Sequence, residues 1–98
     1  MQHNIQASAG DRLVAISGRI TSRDYDAFKG LLSMFDEAGV QRVVFDLSQV
    51  EFIDSSALGM IMLVRDKAKS KGATLTLQGV KGQVKRLMDV VKFDQTAN

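Results

Sequence analysis

The 98-residue sequence is long enough to bury one apolar core and too short for two. Hydrophobic residues make up 45% and charged residues 24%, a globular balance, and a formal charge of +2 without a clustered basic stripe gives no case for direct nucleic-acid binding. The absence of cysteine excludes disulfides, thiolate metal sites and cysteine nucleophiles, and the absence of proline excludes proline-rich recognition segments.

The opening MQHNIQASAGDR lacks the basic-then-apolar pattern of a signal peptide, and the apolar run around residues 61–64 is far short of a membrane span. The expectation is a cytoplasmic protein with no membrane insertion. NIQASAGDRLVAISG reads as two strands joined by a turn at Gly10-Asp11. Ile5 and Ala7 alternate with polar residues, as on a half-buried strand, whereas Leu13-Val14-Ala15-Ile16 is continuously apolar, as on a strand covered on both faces. Thr21 with Asp24 three residues later predicts a capping-box helix start. Phe28, Leu31, Leu32, Phe35 and Ala38 then recur at helical spacing, with Gly39 as the stop.

Val43-Val44-Phe45 is short, β-branched and aromatic, which predicts a buried central strand ending near Leu47. A second helix is predicted from Ser55 to Ser70, with Gly72 just beyond it. ATLTLQG alternates, with Leu75 and Leu77 on one face of a strand, and Val84, Leu87, Met88 and Val91 mark a last amphipathic helix. The order β-β-α-β-α-β-α describes a single α/β domain. Two strand-helix-strand units imply parallel pairing with right-handed crossovers, and the first hairpin adds an antiparallel edge. Helices cover one or both faces of the resulting four-stranded mixed sheet.

Little in the chain supports catalysis. The lone histidine, His3, lies near a chain end expected to fray, which leaves a Ser-His relay without support. Neither common phosphate-cradling loop, GxxxxGK or GxGxxG, occurs, no histidine–carboxylate cluster has metal-ligand spacing, and no cofactor is implied. Asp46 and Asp54 could form a carboxylate pair, but their spacing does not show that they converge.

The segment VEFIDSSALG carries the strongest local signal. Asp54 or Ser55 at the N-cap of the second helix would accept a backbone N–H from its first turn. Capping requires one such residue, not the run Asp54-Ser55-Ser56. A helix N-terminus also tolerates a phosphate, since its free N–H groups and partial positive charge face outward. Phosphorylation there would add about −1.5 to −2 charges at neutral pH. Along the same helix Ala57, Ile61, Val64 and Ala68 form one inward stripe, while Leu58, Met60, Met62 and Leu63 spread apolar character beyond it. Such a helix is either deeply buried or reserves a face for a partner. Arg65, Lys67, Lys69 and Lys71 near its carboxyl end complement the helix dipole.

DLSQVEFIDSSALG, residues 46–59, closely resembles the signature of the STAS family, the domain shared by anti-sigma factor antagonists and sulphate transporters, and the order of elements matches over most of the chain. The resemblance implies a phosphorylation site at Ser55, supported by Asp54 and Ser56, and a partner-binding surface drawn from Asp46, Ser48, Ala57, Leu58, Met60 and Met62. It implies partner switching: the unphosphorylated antagonist binds an anti-sigma factor, often a serine kinase of the histidine-kinase-like ATPase type. Phosphorylation releases the antagonist, and a metal-dependent serine phosphatase resets it. ATP belongs to the partner, so the chain itself is a substrate and not an enzyme. Three departures bear on the identity of that partner. Ala57 stands where many antagonists have glycine, GRITSRDYDAF replaces the common GELD type of turn, and the sequence ends with VVKFDQTAN, so the final strand or helix of longer relatives is expected to be shortened. The alternative implied by the same family is a small subunit that docks on the ATPase of an ABC-type lipid transporter, where phosphorylation would play no part.

Overall fold

The computed structural model describes residues 1–93. Four strands, β1 (Gln2–Ser8), β2 (Asp11–Ile20), β3 (Arg42–Ile53) and β4 (Thr74–Gln78), form one sheet in the order β1-β2-β3-β4. β1 pairs antiparallel with β2, whereas β2–β3 and β3–β4 are parallel. The crossovers carry α1 (Tyr25–Ser33) and α2 (Ser55–Ser70), and α3 (Gly82–Val90) follows β4. The expected order of elements and the mixed sheet are therefore present. The end of the chain, whose shortening the family resemblance implied, lies outside the described residues.

The helices cover one face. Val14, Ile16 and Ile20 of β2 and Val43, Phe45 and Leu47 of β3 are buried in a single core with Phe28, Leu31, Ile61, Val64, Leu77 and Met88. The alternate residues Leu13, Ala15 and Val44 reach the other face and are only half-buried. The unbroken apolar run in β2 thus does not mean cover on both faces: its second set of side chains is small or partly solvated. β1 also departs from expectation. Every residue is exposed, Ile5 to 46%, because this edge strand extends beyond the helices. His3 is not frayed; it sits in β1 opposite Ile16. The hairpin turn is one residue earlier than the sequence suggested, at Ala9-Gly10, and Ala9 takes a left-handed φ of 52°.

Thr21 and Asp24 form the expected capping box, with Arg23 N–H donating to Thr21 Oγ1 and Thr21 N–H to Asp24 Oδ2 at 2.8 Å. They open a 3-10 turn, Ser22–Asp24, that leads into α1. The helix ends sooner than its apolar spacing implied. The Ser33 hydroxyl donates back to the Gly30 carbonyl at 2.7 Å, and the chain tightens into a second 3-10 turn, Met34–Asp36. Met34 and Phe35 remain buried, but Ala38 is exposed. In α2 the inward stripe Ala57, Ile61, Val64 and Ala68 is completely buried. Lys67 and Lys71 reach Asp36 at 3.2 and 3.6 Å, joining the end of α2 to the segment after α1 and holding the Asp36 carboxyl below its usual range.

The largest revision concerns β3, which runs through Ile53 and not to Leu47. Between Ala15 and Ser17 β2 advances two residues while β3 advances from Asp46 to Gln49. Between Gly18 and Arg19 it advances one while β3 moves from Val50 to Phe52. Each step leaves an extra residue in β3, the definition of a bulge. The buried positions change spacing with it, from Val43, Phe45 and Leu47 to Val50 and Ile53. Gly18 supplies the positive φ, 91°, at the second shift.

Candidate functional site

The bulged end of β3 delivers the chain to α2, and the candidate residues collect around this junction. Asp54 is the N-cap, in extended conformation, and its Oδ1 accepts the Ala57 N–H at 2.8 Å. Its other oxygen, Oδ2, accepts the Ser22 N–H at 3.3 Å, and its own N–H donates to the Ile20 carbonyl at 3.2 Å. One carboxylate therefore fastens the start of α2 to the β2–α1 connection. With Asp54 occupying the cap, Ser55 and Ser56 are free of that duty. They begin the helix as exposed residues, and neither hydroxyl has a hydrogen-bond partner among the described residues. The choice between Asp54 and Ser55 as cap is thereby resolved in favour of Asp54.

Above Ser55 the residues anticipated for partner contact divide. Ala57 is completely buried and Met60 is 8% exposed, so both side chains belong to the core. The physical reason is helical geometry: they lie on the same side as Ile61 and Val64, which face the sheet. Leu58 and Met62, one turn apart, are half-buried at the margin. Leu63, at 55% exposure, stands one turn above Gly59 and two above Ser55. Ser55, Gly59, Met62 and Leu63 thus present a hydroxyl, a bare stretch of backbone and two apolar side chains along one outward ridge.

Asp46 and Ser48 form a separate group at the first bulge. Asp46 Oδ1 accepts the Ser48 N–H at 3.0 Å. That bond, together with the Ser48 hydroxyl and Gln78, holds the Asp46 carboxyl below its ordinary range. Asp46 and Asp54 have different partners: Asp46 accepts from Ser48, whereas Asp54 accepts from Ser22 and Ala57, and no hydrogen bond joins the two among the described residues. No cluster of three or more potential metal ligands occurs among the described residues.

Two supporting residues escaped the sequence reading. Gly79, with φ 72°, lies so close to β3 that a Cβ there would come within 2.7 Å of Ser48 Cβ and 2.9 Å of its nitrogen. Gln83, in α3, spans the place where β4 has left the sheet. Its Oε1 accepts the Ile53 N–H at 3.1 Å, and its Nε2 donates to the Ile53 carbonyl at 2.7 Å. The side-chain amide acts as one residue of a missing strand. Nothing local in the sequence distinguishes this glutamine from a solvated one.

The arrangement brings an exposed hydroxyl at Ser55 and an outward ridge with exposed Gly59 and Leu63 to the start of α2. Comparison with known proteins bears on its use. The family model described as "Mlab, STAS domain" matches residues 3–96. The intermembrane phospholipid transport system binding protein MlaB of Escherichia coli is 37% identical over 75 residues, which is 76% of this chain and 73% of that protein. A STAS-domain containing protein of Pseudomonas aeruginosa is 29% identical over 91 residues, 91% of this chain and 87% of the relative. Among solved structures, the anti-sigma factor antagonist SpoIIAA in its unphosphorylated form superposes with a TM-score of 0.77 at 11% identity, covering 96% of this chain and 84% of that one.

Proposed function

The chain belongs to the STAS domain family, and from that premise we propose that it is a non-catalytic docking subunit of a phospholipid-transport assembly. It would engage the assembly's ATPase through the outward ridge of α2. The observation that carries this reading is the 37% identity to MlaB, whose name assigns it to intermembrane phospholipid transport. The surface supports the same use. Ser55, Gly59, Met62 and Leu63 offer a shallow apolar contact, with backbone accessible at Gly59, on a helix whose opposite side is committed to the core. No helix among the described residues is long and apolar enough to cross a membrane.

A second reading, partner switching, is favoured by one specific observation: Ser55 is exposed at the first position of α2 while Asp54 does the capping. In that reading an anti-sigma factor or serine kinase binds the ridge, phosphate on Ser55 releases it, and a metal-dependent phosphatase restores it. Affinity purification of the tagged chain from its native cell separates the two. Recovery of a transport ATPase, undiminished by Ser55→Ala and lost with Leu63→Asp, supports the first. A kinase-like protein retained by Ser55→Ala and lost by Ser55→Asp, with phosphate on the recovered wild-type chain, supports the second and overturns the first.

A further inference from the structure

A different part of the molecule, remote from the α2 ridge in the order of the sheet, presents an unfinished surface. β1 is an edge strand of seven residues, Gln2–Ser8, all exposed. Its pairing with β2 is continuous from Gln2↔Ser17 to Ser8↔Asp11, with no bulge to twist it away. It contains no lysine, arginine, aspartate, glutamate or proline. Exposed edges are ordinarily blunted by one of those devices, because a row of unpaired N–H and C=O groups is a template for another strand. Here none is used.

The geometry specifies which groups are free. The two-residue turn Ala9-Gly10 closes on the pair Ser8↔Asp11, which in such a hairpin exchanges hydrogen bonds. Alternation along an antiparallel ladder then turns the N–H and C=O of Ala7, Ile5 and His3 away from β2, toward an edge with which no other described strand pairs. Ile5, opposite the core residue Val14, lies on the helix-bearing face. Asn4 and Gln6, opposite Ala15 and Leu13, lie on the bare face.

We infer that β1 is a self-association edge, at which a second copy of this chain pairs antiparallel about a twofold axis through Ile5 and extends the sheet across both molecules. The strand is self-complementary in that register. Ile5 meets Ile5 of the other copy, covering two exposed apolar side chains, and the free backbone groups of His3, Ile5 and Ala7 meet those of Ala7, Ile5 and His3. Asn4 faces Gln6 across the bare side, amide to amide, and Gln2 faces Ser8. No ionised carboxylate, lysine or arginine is opposed anywhere along it, so a second copy encounters neither charge repulsion nor a charge to be desolvated. A single pair of edges covers far less than the roughly 1,200 Å² of a stable complex, so the dimer is weak and concentration-dependent.

The natural absence of cysteine makes the register directly testable. In the proposed pairing Gln2 and Ser8 are non-hydrogen-bonded neighbours, with Cα atoms about 4.5 Å apart. Two copies of position 8 are about 20 Å apart, as are two copies of position 2. A disulfide spans less than about 7 Å between Cα atoms. A mixture of Gln2→Cys and Ser8→Cys chains at submillimolar concentration should therefore oxidise to the mixed dimer, with little of either homodimer. Ile5→Lys, which keeps the half-exposed position but opposes two ammonium groups at the axis, should abolish the crosslink when added to both chains. It should also lower the weight-average mass in sedimentation equilibrium while leaving the circular dichroism unchanged. Equal amounts of mixed and homodimeric disulfides, or a wild-type chain that sediments as a monomer across the same concentrations, would overturn the inference.

Discussion

The two halves of β3 are built on different rules. From Arg42 to Asp46 the strand is flanked by β2 and β4 in unbroken register, and its buried side chains alternate strictly. From Leu47 to Ile53 only β2 remains as a strand partner, two bulges intervene, and the buried positions lie three apart. The regular half has every backbone group committed to a ladder, so it fixes the sheet and offers nothing to a ligand. The bulged half has lost one neighbour, and side chains and loops take over that neighbour's work: Gly79 packs on Ser48, Gln83 bonds Ile53, and the strand then runs into the Asp54 cap. The irregularity is what aims the start of α2 outward.

If that contrast holds, the substitutions that matter most lie outside β3, against its bulged half. Gly79→Val should have the largest effect, because it adds a β-branched side chain at φ 72° and drives Cβ into Ser48. Overpacking against backbone together with the conformational strain should cost about 3 kcal/mol, read as a drop in the urea midpoint with little change in slope. Next comes Gln83→Leu. It conserves bulk but strands the Ile53 N–H and C=O, and leaving half-buried backbone groups unpaired should cost about 2 kcal/mol. Gln83→Glu should fall between wild type and Gln83→Leu, since a carboxylate accepts from the N–H but donates nothing to the carbonyl. Asp54→Ala should cost about 1 kcal/mol for the lost cap. It should also increase amide exchange at Ser22, whose bond to Asp54 Oδ2 disappears.

Asp46, at the boundary of the two halves, gives a smaller effect with a pH signature. The Ser48 N–H, then the Ser48 hydroxyl and Gln78, lower its folded-state pKa, so its contribution is present above the unfolded value of about 3.9 and is lost as pH falls through the folded value. Asp46→Asn should be less stable than wild type by about 0.5 kcal/mol at neutral pH, a small effect because the carboxylate is partly open to solvent. The difference should shrink as pH falls below the unfolded value and vanish once the folded carboxyl is itself protonated. A gap that persists unchanged in acid would place the role of Asp46 in shape and not in charge.

The same division explains what could be read from the sequence. Where one rule governs a segment, its pattern is legible: the capping box at Thr21 and Asp24 and the α2 stripe at Ala57, Ile61, Val64 and Ala68 were visible as spacing, and the buried strand at Val43-Val44-Phe45 as composition. Where rules change, it is not. A spacing of three at Leu47, Val50 and Ile53 belongs neither to a strand nor to a helix until the bulges are known, which is why β3 seemed to stop early. The family resemblance placed Ala57 and Met60 at a partner surface, although spacing already turned Ala57 inward, and packing assigns both to the core. Ile5 errs the other way, since alternation cannot reveal that no helix extends over the edge strand. Gln83 and Gly79 act through contacts with residues 53 and 48, and such long-range pairings leave no local trace.

The smallest predicted change in stability is the most informative about use. Ser55 begins α2 with an exposed side chain, and the fold asks nothing of its hydroxyl. Ser55→Ala should leave stability unchanged. Ser55→Asp should raise it by about 0.3 kcal/mol, since a carboxylate in the first turn of a helix is favoured by the dipole, although Asp54 already sits alongside and reduces the gain. A phosphate would meet the same tolerance. Position 55 can therefore change charge without endangering the sheet, and any loss of partner binding in Ser55→Asp would be an effect on the interface alone. A marked fall in stability for Ser55→Asp would show that the start of α2 is as tightly committed as the regular half of β3, and the contrast between scaffold and docking surface would fail at the residue where it matters most.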